Sequence, residues 1–258
     1  MSDLPFWHID AFVDGPFTGN PAAVIRLDQW RDEAALQAIA REVNLPATAF
    51  AVPTDGEADY DIRWFSPHGE IGLCGHGTIA AAHALIGDSD SIGFAARGVG
   101  ALRVMRDADR LSLSLPVIEA IPQALPEIVA IIGGFPIETL RHPRGYGILR
   151  YADEAAVRAL APDFAALARM GNVQISATAP GSETDIVSRV FTARSGEDAV
   201  TGSAHSVLTP YWAAQLGRKS FTAFQASARG GLLSCRLDGD RAILVGKCFT
   251  VIEGRFSL

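Results

Sequence analysis

Apolar and polar residues alternate along a series of short stretches: Phe6–Phe12, Tyr60–Phe65, Ala101–Met105, Leu111–Leu115, Ile186–Phe191, Leu232–Leu237 and Arg241–Val245. A period of two is that of a strand with one face in a core, so each stretch predicts a half-buried β-strand. Helical spacing appears in Asp32–Val43, where Ala35, Leu36, Ile39 and Val43 share a face. It recurs in Gly77–Ile86, Pro126–Ile132, Asp153–Leu160, Asp163–Met170 and Ser203–Leu216. Strands outnumber helices and the two kinds do not alternate regularly. The pattern therefore predicts an α+β architecture rather than a TIM barrel or a doubly wound nucleotide fold.

One segment recurs about half a chain later. Phe65-Ser66-Pro67-His68-Gly69-Glu70-Ile71-Gly72-Leu73-Cys74-Gly75-His76-Gly77 precedes an apolar helix, and so does Phe191-Thr192-Ala193-Arg194-Ser195-Gly196-Glu197-Asp198-Ala199-Val200-Thr201-Gly202-Ser203. An offset of 126 aligns the two phenylalanines and sets Cys74 opposite Val200. Each half thus reads as strand, acidic loop, small-residue turn and helix. The stretch from Pro116 to Pro126 has little periodicity and reads as the connector, giving two pseudo-symmetric domains, 1–116 and 117–258.

Composition narrows the function classes. The 258 residues are 48% hydrophobic and 20% charged, which is globular. A net charge of -7 without a basic run argues against a nucleic-acid partner. The N-terminus reaches Asp3 and Pro5 before any apolar stretch, unlike a secretory signal, which predicts a cytoplasmic protein. The longest apolar runs, such as Ile79–Ile86, fall short of the roughly 18–20 residues a membrane span needs, so no membrane contact is expected. Cys74, Cys235 and Cys248 are too few and too scattered for a disulfide framework. No cluster has metal-ligand spacing, and no dinucleotide fingerprint or P-loop appears.

The chemistry concentrates at the two predicted helix starts. Small residues there let a ligand approach backbone N–H groups that lack intrahelical partners, and the helix dipole adds partial positive charge. Cys74-Gly75-His76-Gly77-Thr78 and Thr201-Gly202-Ser203-Ala204-His205 also carry side chains that donate hydrogen bonds or move protons. If the halves face each other, the two starts converge on a cleft suited to a small carboxylate; glycines at a helix start also serve plain close packing.

These residues carry a resemblance. Asp10-Ala11-Phe12, Phe17-Thr18-Gly19-Asn20-Pro21-Ala22-Ala23-Val24, Ala40-Arg41-Glu42-Val43-Asn44-Leu45, Arg63-Trp64-Phe65-Ser66-Pro67 with Glu70, and Cys74-Gly75-His76-Gly77-Thr78 resemble the phenazine-biosynthesis (PhzF-like) isomerase family. In the second half, Ser188-Arg189-Val190-Phe191, Glu197-Asp198-Ala199-Val200-Thr201-Gly202-Ser203-Ala204-His205 and Arg229-Gly230-Gly231 stand where that family has similar motifs. The resemblance implies the diaminopimelate-epimerase fold: two α+β domains, each a curved mixed sheet around a central helix, with the site between them. It also implies a homodimer that works without metal or organic cofactor on a small carboxylate. Carried over singly, the family's histidine falls on His76, its aspartate on Asp198 and its serine on Ser203, with Asn20, Gly75, Gly77, Thr201 and Gly202 as binding positions.

Two departures bear on mechanism. Diaminopimelate epimerase uses a cysteine from each half; Cys74 resembles the first, but the second position reads Val200, which excludes a two-thiol racemase. The family's proton-shuttling glutamate falls on Ala47, within Asn44-Leu45-Pro46-Ala47-Thr48, and a methyl group cannot titrate. Three readings follow: an isomerase whose base is His76, Asp198 or Cys74; a carboxylate-binding protein without turnover; or an enzyme in which Glu42 or Glu70 reaches the cleft. His8 reads as a sheet histidine, His83 as a packing residue, His68 and His142 as exposed, and His205 as support for Ser203.

Overall fold

The computed structural model describes residues 3–257. Met1 and Ser2, at the start of the expected first half, and Leu258, at the end of the second, lie outside the described residues. The chain is mostly β with few helices. In order it forms β1 (Asp3–Val13), β2 (Asn20–Arg26), α1 (Glu33–Val43), β3 (Ala47–Pro53), β4 (Tyr60–Ser66), β5 (Gly69–Ile71), α2 (Gly75–Leu85), β6 (Ser91–Ala96), β7 (Gly100–Asp107) and β8 (Arg110–Pro116). There follow β9 (Ile121–Pro122), α3 (Pro126–Ile132), β10 (Glu138–Arg141), β11 (Tyr146–Arg150), α4 (Glu154–Arg158), α5 (Phe164–Leu167), β12 (Gln174–Pro180), β13 (Ile186–Thr192), β14 (Gly196–Asp198), α6 (Gly202–Leu216), β15 (Ser220–Gln225), β16 (Gly231–Asp238) and β17 (Arg241–Ser257).

Two compact units result, one of residues 3–114 with 245–257 and the other of residues 115–244. The expected boundary at 116/117 thus falls two residues away, and the end of the chain belongs with the first unit instead of the second. The reason is β17, whose residues Lys247–Ser257 pair antiparallel with β1. In the first unit the pairings run β1–β2–β3–β4–β6–β7–β8–β17 and return to β1, so the strands close into a barrel rather than an open curved sheet. The ladder is mixed: β2–β3 and β4–β6 are parallel, whereas β1–β2, β3–β4 and β6–β7 are antiparallel. In the second unit β11–β12 and β13–β15 repeat the parallel pairs, while β12–β13 and β15–β16 repeat the antiparallel ones.

Helices sit where the sequence starts them. Asp32, Asp153 and Asp163 accept backbone N–H bonds at 2.7, 2.8 and 2.9 Å, as N-caps of α1, α4 and α5. α1 covers one face of β3, where Phe50 and Val52 pack with Leu36, Ile39 and Phe65. By alternation Ala47, Ala49 and Ala51 occupy the opposite face, the side on which α2 packs against β1, β2 and β3. α2 is buried from Gly75 through Ala82, as a helix without a polar face must be. In the second unit α3, α4 and α5 pack with Ile175, Ala177 and Ala179 of β12, which leaves Gln174, Ser176 and Thr178 facing α6. Trp212 of α6 accordingly donates its indole N–H to Thr178 Oγ1 at 3.0 Å. α6 carries Pro210 in its interior. Proline has no N–H for the carbonyl four residues back, and that carbonyl, on Ser206, accepts Ile118 N–H at 3.1 Å instead.

Candidate active site

In the first unit β4 and β5 form a hairpin that delivers the chain to α2, whose N-cap is Cys74 in an extended conformation. Thr78 donates its hydroxyl to Cys74 O at 2.7 Å, tying the first turn to the cap. Gly77 permits this arrangement, because a Cβ there would stand 2.9 Å from Trp64 Cδ1 and 3.0 Å from Cys74 Sγ. Cys74 and His76 are both buried, at 4% and 8% exposure. The sulfur lies 3.5 Å from His76 Nδ1 and 3.8 Å from Nε2. A thiol aligned with one nitrogen in the ring plane would be far from the other, so this sulfur lies against the ring face. The pair is not an in-plane thiol–imidazole dyad, and the in-plane direction of neither nitrogen is spent on sulfur. Asn20 and Ala47 are both fully buried at the beginnings of β2 and β3, with Ala47 paired to Ala22. Asp10, another buried polar residue of this unit, sits in β1 opposite Pro21 with one oxygen 3.8 Å from His8 Nε2. Asp10 was not among the residues expected at the site; a carboxyl group within the buried, otherwise apolar run Ile9–Val13 is the signal that marks it.

In the second unit the β13–β14 hairpin leads to α6, whose N-cap is Thr201, again extended. Thr201 donates its hydroxyl to Asp198 Oδ2 at 2.6 Å, and Ala199 N–H donates to Asp198 Oδ1 at 3.0 Å. Ser203 donates its hydroxyl to Gln174 Oε1 at 3.0 Å. His205 does not support Ser203 as expected; its Nδ1 lies 2.8 Å from Thr201 O. A carbonyl only accepts, so Nδ1 carries the proton, and complete burial pushes the His205 pKa down to about 4. Gln174 and Gln225, both bonded to this turn, come from strands distant in sequence, which is why the motif reading missed them.

The two turns are the same device with one residue of difference. The first hairpin closes through two residues, 67–68, and the second through three, 193–195. Past that point the offset is 127, so the counterpart of Cys74 is Thr201, not Val200. A hydroxyl is no more a racemase thiol than a valine is, so the exclusion of a two-thiol mechanism stands on different grounds. Both hairpins are latched alike: Arg63 grips Glu70 through two bonds at 2.7 and 2.8 Å, and Arg189 grips Glu197 at 2.7 and 2.9 Å. Each guanidinium also stacks on a phenylalanine, Phe65 at 5.0 Å and Phe191 at 5.1 Å. The hydrogen bond from Arg63 holds the Glu70 carboxyl below its ordinary pKa, so Glu70 is a latch rather than a base. Glu42 is exposed on α1.

Against known proteins, residues 9–254 match the family described as phenazine biosynthesis-like protein, PhzC-PhzF. The chain belongs to this family. It is 46% identical to an uncharacterized isomerase of Pseudomonas aeruginosa, over 99% of each chain. The crystal structure of a PhzF-family protein from Enterococcus faecalis, 38% identical, superposes with a TM-score of 0.91 over 100% of both chains. A predicted epimerase from Pseudomonas aeruginosa, 19% identical, reaches a TM-score of 0.74 over 98% of this chain and 99% of its own, which shows a shared fold. In this PhzF-family chain Cys235 and Cys248 have thiol pKa values raised by desolvation, Cys235 to about 12, as packing residues do. Among the described residues no three His, Cys, Asp or Glu are grouped to hold a metal ion, and no helix is long and apolar enough to cross a membrane. A surface groove of about 520 Å³ on the first unit is lined by Trp30, Asp61, Arg63 and Arg97 and by none of the site candidates.

Proposed function

We propose that this PhzF-family protein is an isomerase that relocates a proton on a small carboxylic acid, next to a carbonyl or alkene, without metal or organic cofactor. The observation that carries the reading is the repeated helix start, which sets an imidazole on α2 and a carboxylate beside α6 in a chain similar over its whole length to a protein named an isomerase. The groups this reading assigns to the substrate carboxylate are the glycine-flanked N–H groups of Gly75 and Gly77 at the start of α2 and of Gly202 at the start of α6, with Asn20 and Thr201 as further binding residues. His76 removes the proton from one carbon, a neutral imidazole nitrogen being a proton acceptor, and Asp198 and Ser203 assist its return to another, so substrate and product are isomers. Cys74 packs against His76 and is secondary. Ala47 takes the place of the glutamate that shuttles the proton elsewhere in the family, so the chemistry falls to the remaining groups. The protein works as a cytoplasmic homodimer.

The same Ala47 favours a second reading, a carboxylate-binding protein of this fold without turnover. Incubation in D2O with a pool of small keto, hydroxy and unsaturated carboxylic acids, followed by mass spectrometry, separates the two. Deuteration of a pool member that is lost in His76→Ala and largely kept in Cys74→Ser supports the isomerase. Thermal stabilisation by a pool member with no deuteration supports the binder.

A further inference from the structure

We propose that Gln225 is a positioning residue that aims the Thr201 hydroxyl proton at Asp198 and so fixes the Asp198 carboxylate in its working orientation; the inference rests on the reading of Asp198 as a reacting group. Gln225 ends β15, is 0% exposed and makes three hydrogen bonds with its side-chain amide. Nε2 donates to Asp198 O at 2.8 Å and to Thr201 Oγ1 at 3.1 Å, while Oε1 accepts Thr201 N–H at 2.9 Å. The amide cannot be reversed, because Oε1 would then face a carbonyl and Nε2 an N–H. Its direction sets the next bond. Thr201 Oγ1 already receives a proton from Gln225, so its own proton goes to an acceptor, and Asp198 Oδ2 lies 2.6 Å away. With Ala199 N–H on Oδ1, both carboxylate oxygens are held, and turning the carboxylate breaks two bonds at once.

The first unit provides the internal control. In the parallel ladders Ile62 pairs with Ala96 where Ser188 pairs with Gln225, so Ala96 is the counterpart of Gln225. The residue ending β5, in the place of Asp198, is Ile71. The same strand, hairpin and helix are therefore built in the first unit with an apolar pair at these positions. A buried amide is costly unless it is fully hydrogen-bonded, so burying one that the architecture does not require ties it to the turn it orients.

The test uses Gln225→Glu, which keeps the shape and the acceptor for Thr201 N–H but has no proton to donate when ionised. The hydroxyl then turns from Asp198 to the new carboxylate. In threonine-labelled protein, NMR should detect the slowly exchanging Thr201 hydroxyl proton coupled toward Asp198 in the wild type and lose that signature in Gln225→Glu. Deuteration of any pool member used by the wild type should fall roughly 10–100-fold in rate with its half-saturation concentration unchanged. Thr201→Val should match this loss and Thr201→Ser restore most of it, a comparison that decides the matter if the buried charge prevents folding. Retention of the hydroxyl signal and the rate in Gln225→Glu, or no difference between Thr201→Val and Thr201→Ser, overturns the proposal. If the wild type deuterates nothing, the isomerase reading fails, and the hydroxyl signal alone decides whether Gln225 aims Thr201.

Discussion

Substitution Ala47→Glu asks whether a carboxyl group at the start of β3 reaches the start of α2. The second unit provides the measure. Residues 47 and 174 are the first residues of corresponding strands, and residues 76 and 203 are the second residues of corresponding helices. Gln174, isosteric with glutamate, brings its Oε1 to 3.0 Å from Ser203 Oγ. A glutamate at position 47 should therefore reach His76. Ala47 is 0% exposed, and an unpaired carboxylate at a buried position costs ~3–5 kcal/mol. A charge-assisted hydrogen bond to the imidazole offsets ~1.5–3 kcal/mol of that. Urea unfolding of Ala47→Glu, His76→Ala and the double variant should therefore give a coupling of ~1.5–3 kcal/mol, with Ala47→Gln as the packing control. In the D2O assay the same substitution should raise deuteration ~10²–10⁴-fold, the usual worth of one positioned acid–base group. Pro46→Ser combined with Ala47→Glu controls for the fixed backbone angle of Pro46. Coupling below ~0.5 kcal/mol in both backgrounds would show that the side chain at position 47 does not reach position 76 and that the correspondence between the units fails at the site.

Two further outcomes follow from the packing. His205 is held neutral, its pKa pushed down to about 4 from an ordinary 6.5. As pH falls the unfolded chain takes up this proton first, so stability is lost between about 6.5 and 4, on the order of 3 kcal/mol in total. His205→Gln should flatten that part of the stability profile measured by urea unfolding at pH 7 and 4.5, and an unchanged slope would refute the assignment. Gly77→Ala drives a methyl group against Trp64 and Cys74 and should cost ~1–3 kcal/mol with a shift in tryptophan emission; unaltered stability and emission would show that the α2 start yields freely.

Periodicity revealed the elements with one face in water or against a partner of different polarity. α3 matches its predicted span, Pro126–Ile132, and α1 begins one residue after its capping Asp32. β2 and β3 gave no such signal, because both faces are buried and their residues, mostly apolar, do not alternate with polar ones. β5 and β14 are three residues each, too short for any period to register. The internal repeat and both helix starts were legible because glycine, cysteine, threonine and histidine are unusual just ahead of an apolar helix.

What the chain by itself determined is local: the caps, the alternating strands, the small-residue turns and the residue types that those turns present. Tertiary structure decided the rest, because each remaining question depends on pairing between distant segments. The return of β17 to β1 reassigned the end of the chain, the extra residue in one hairpin moved the counterpart of Cys74 to Thr201, and β15 brought Gln225 beneath Asp198. A hydrogen-bond ladder is set by register between strands, and register is a property of two segments at once, so no single stretch of sequence contains it.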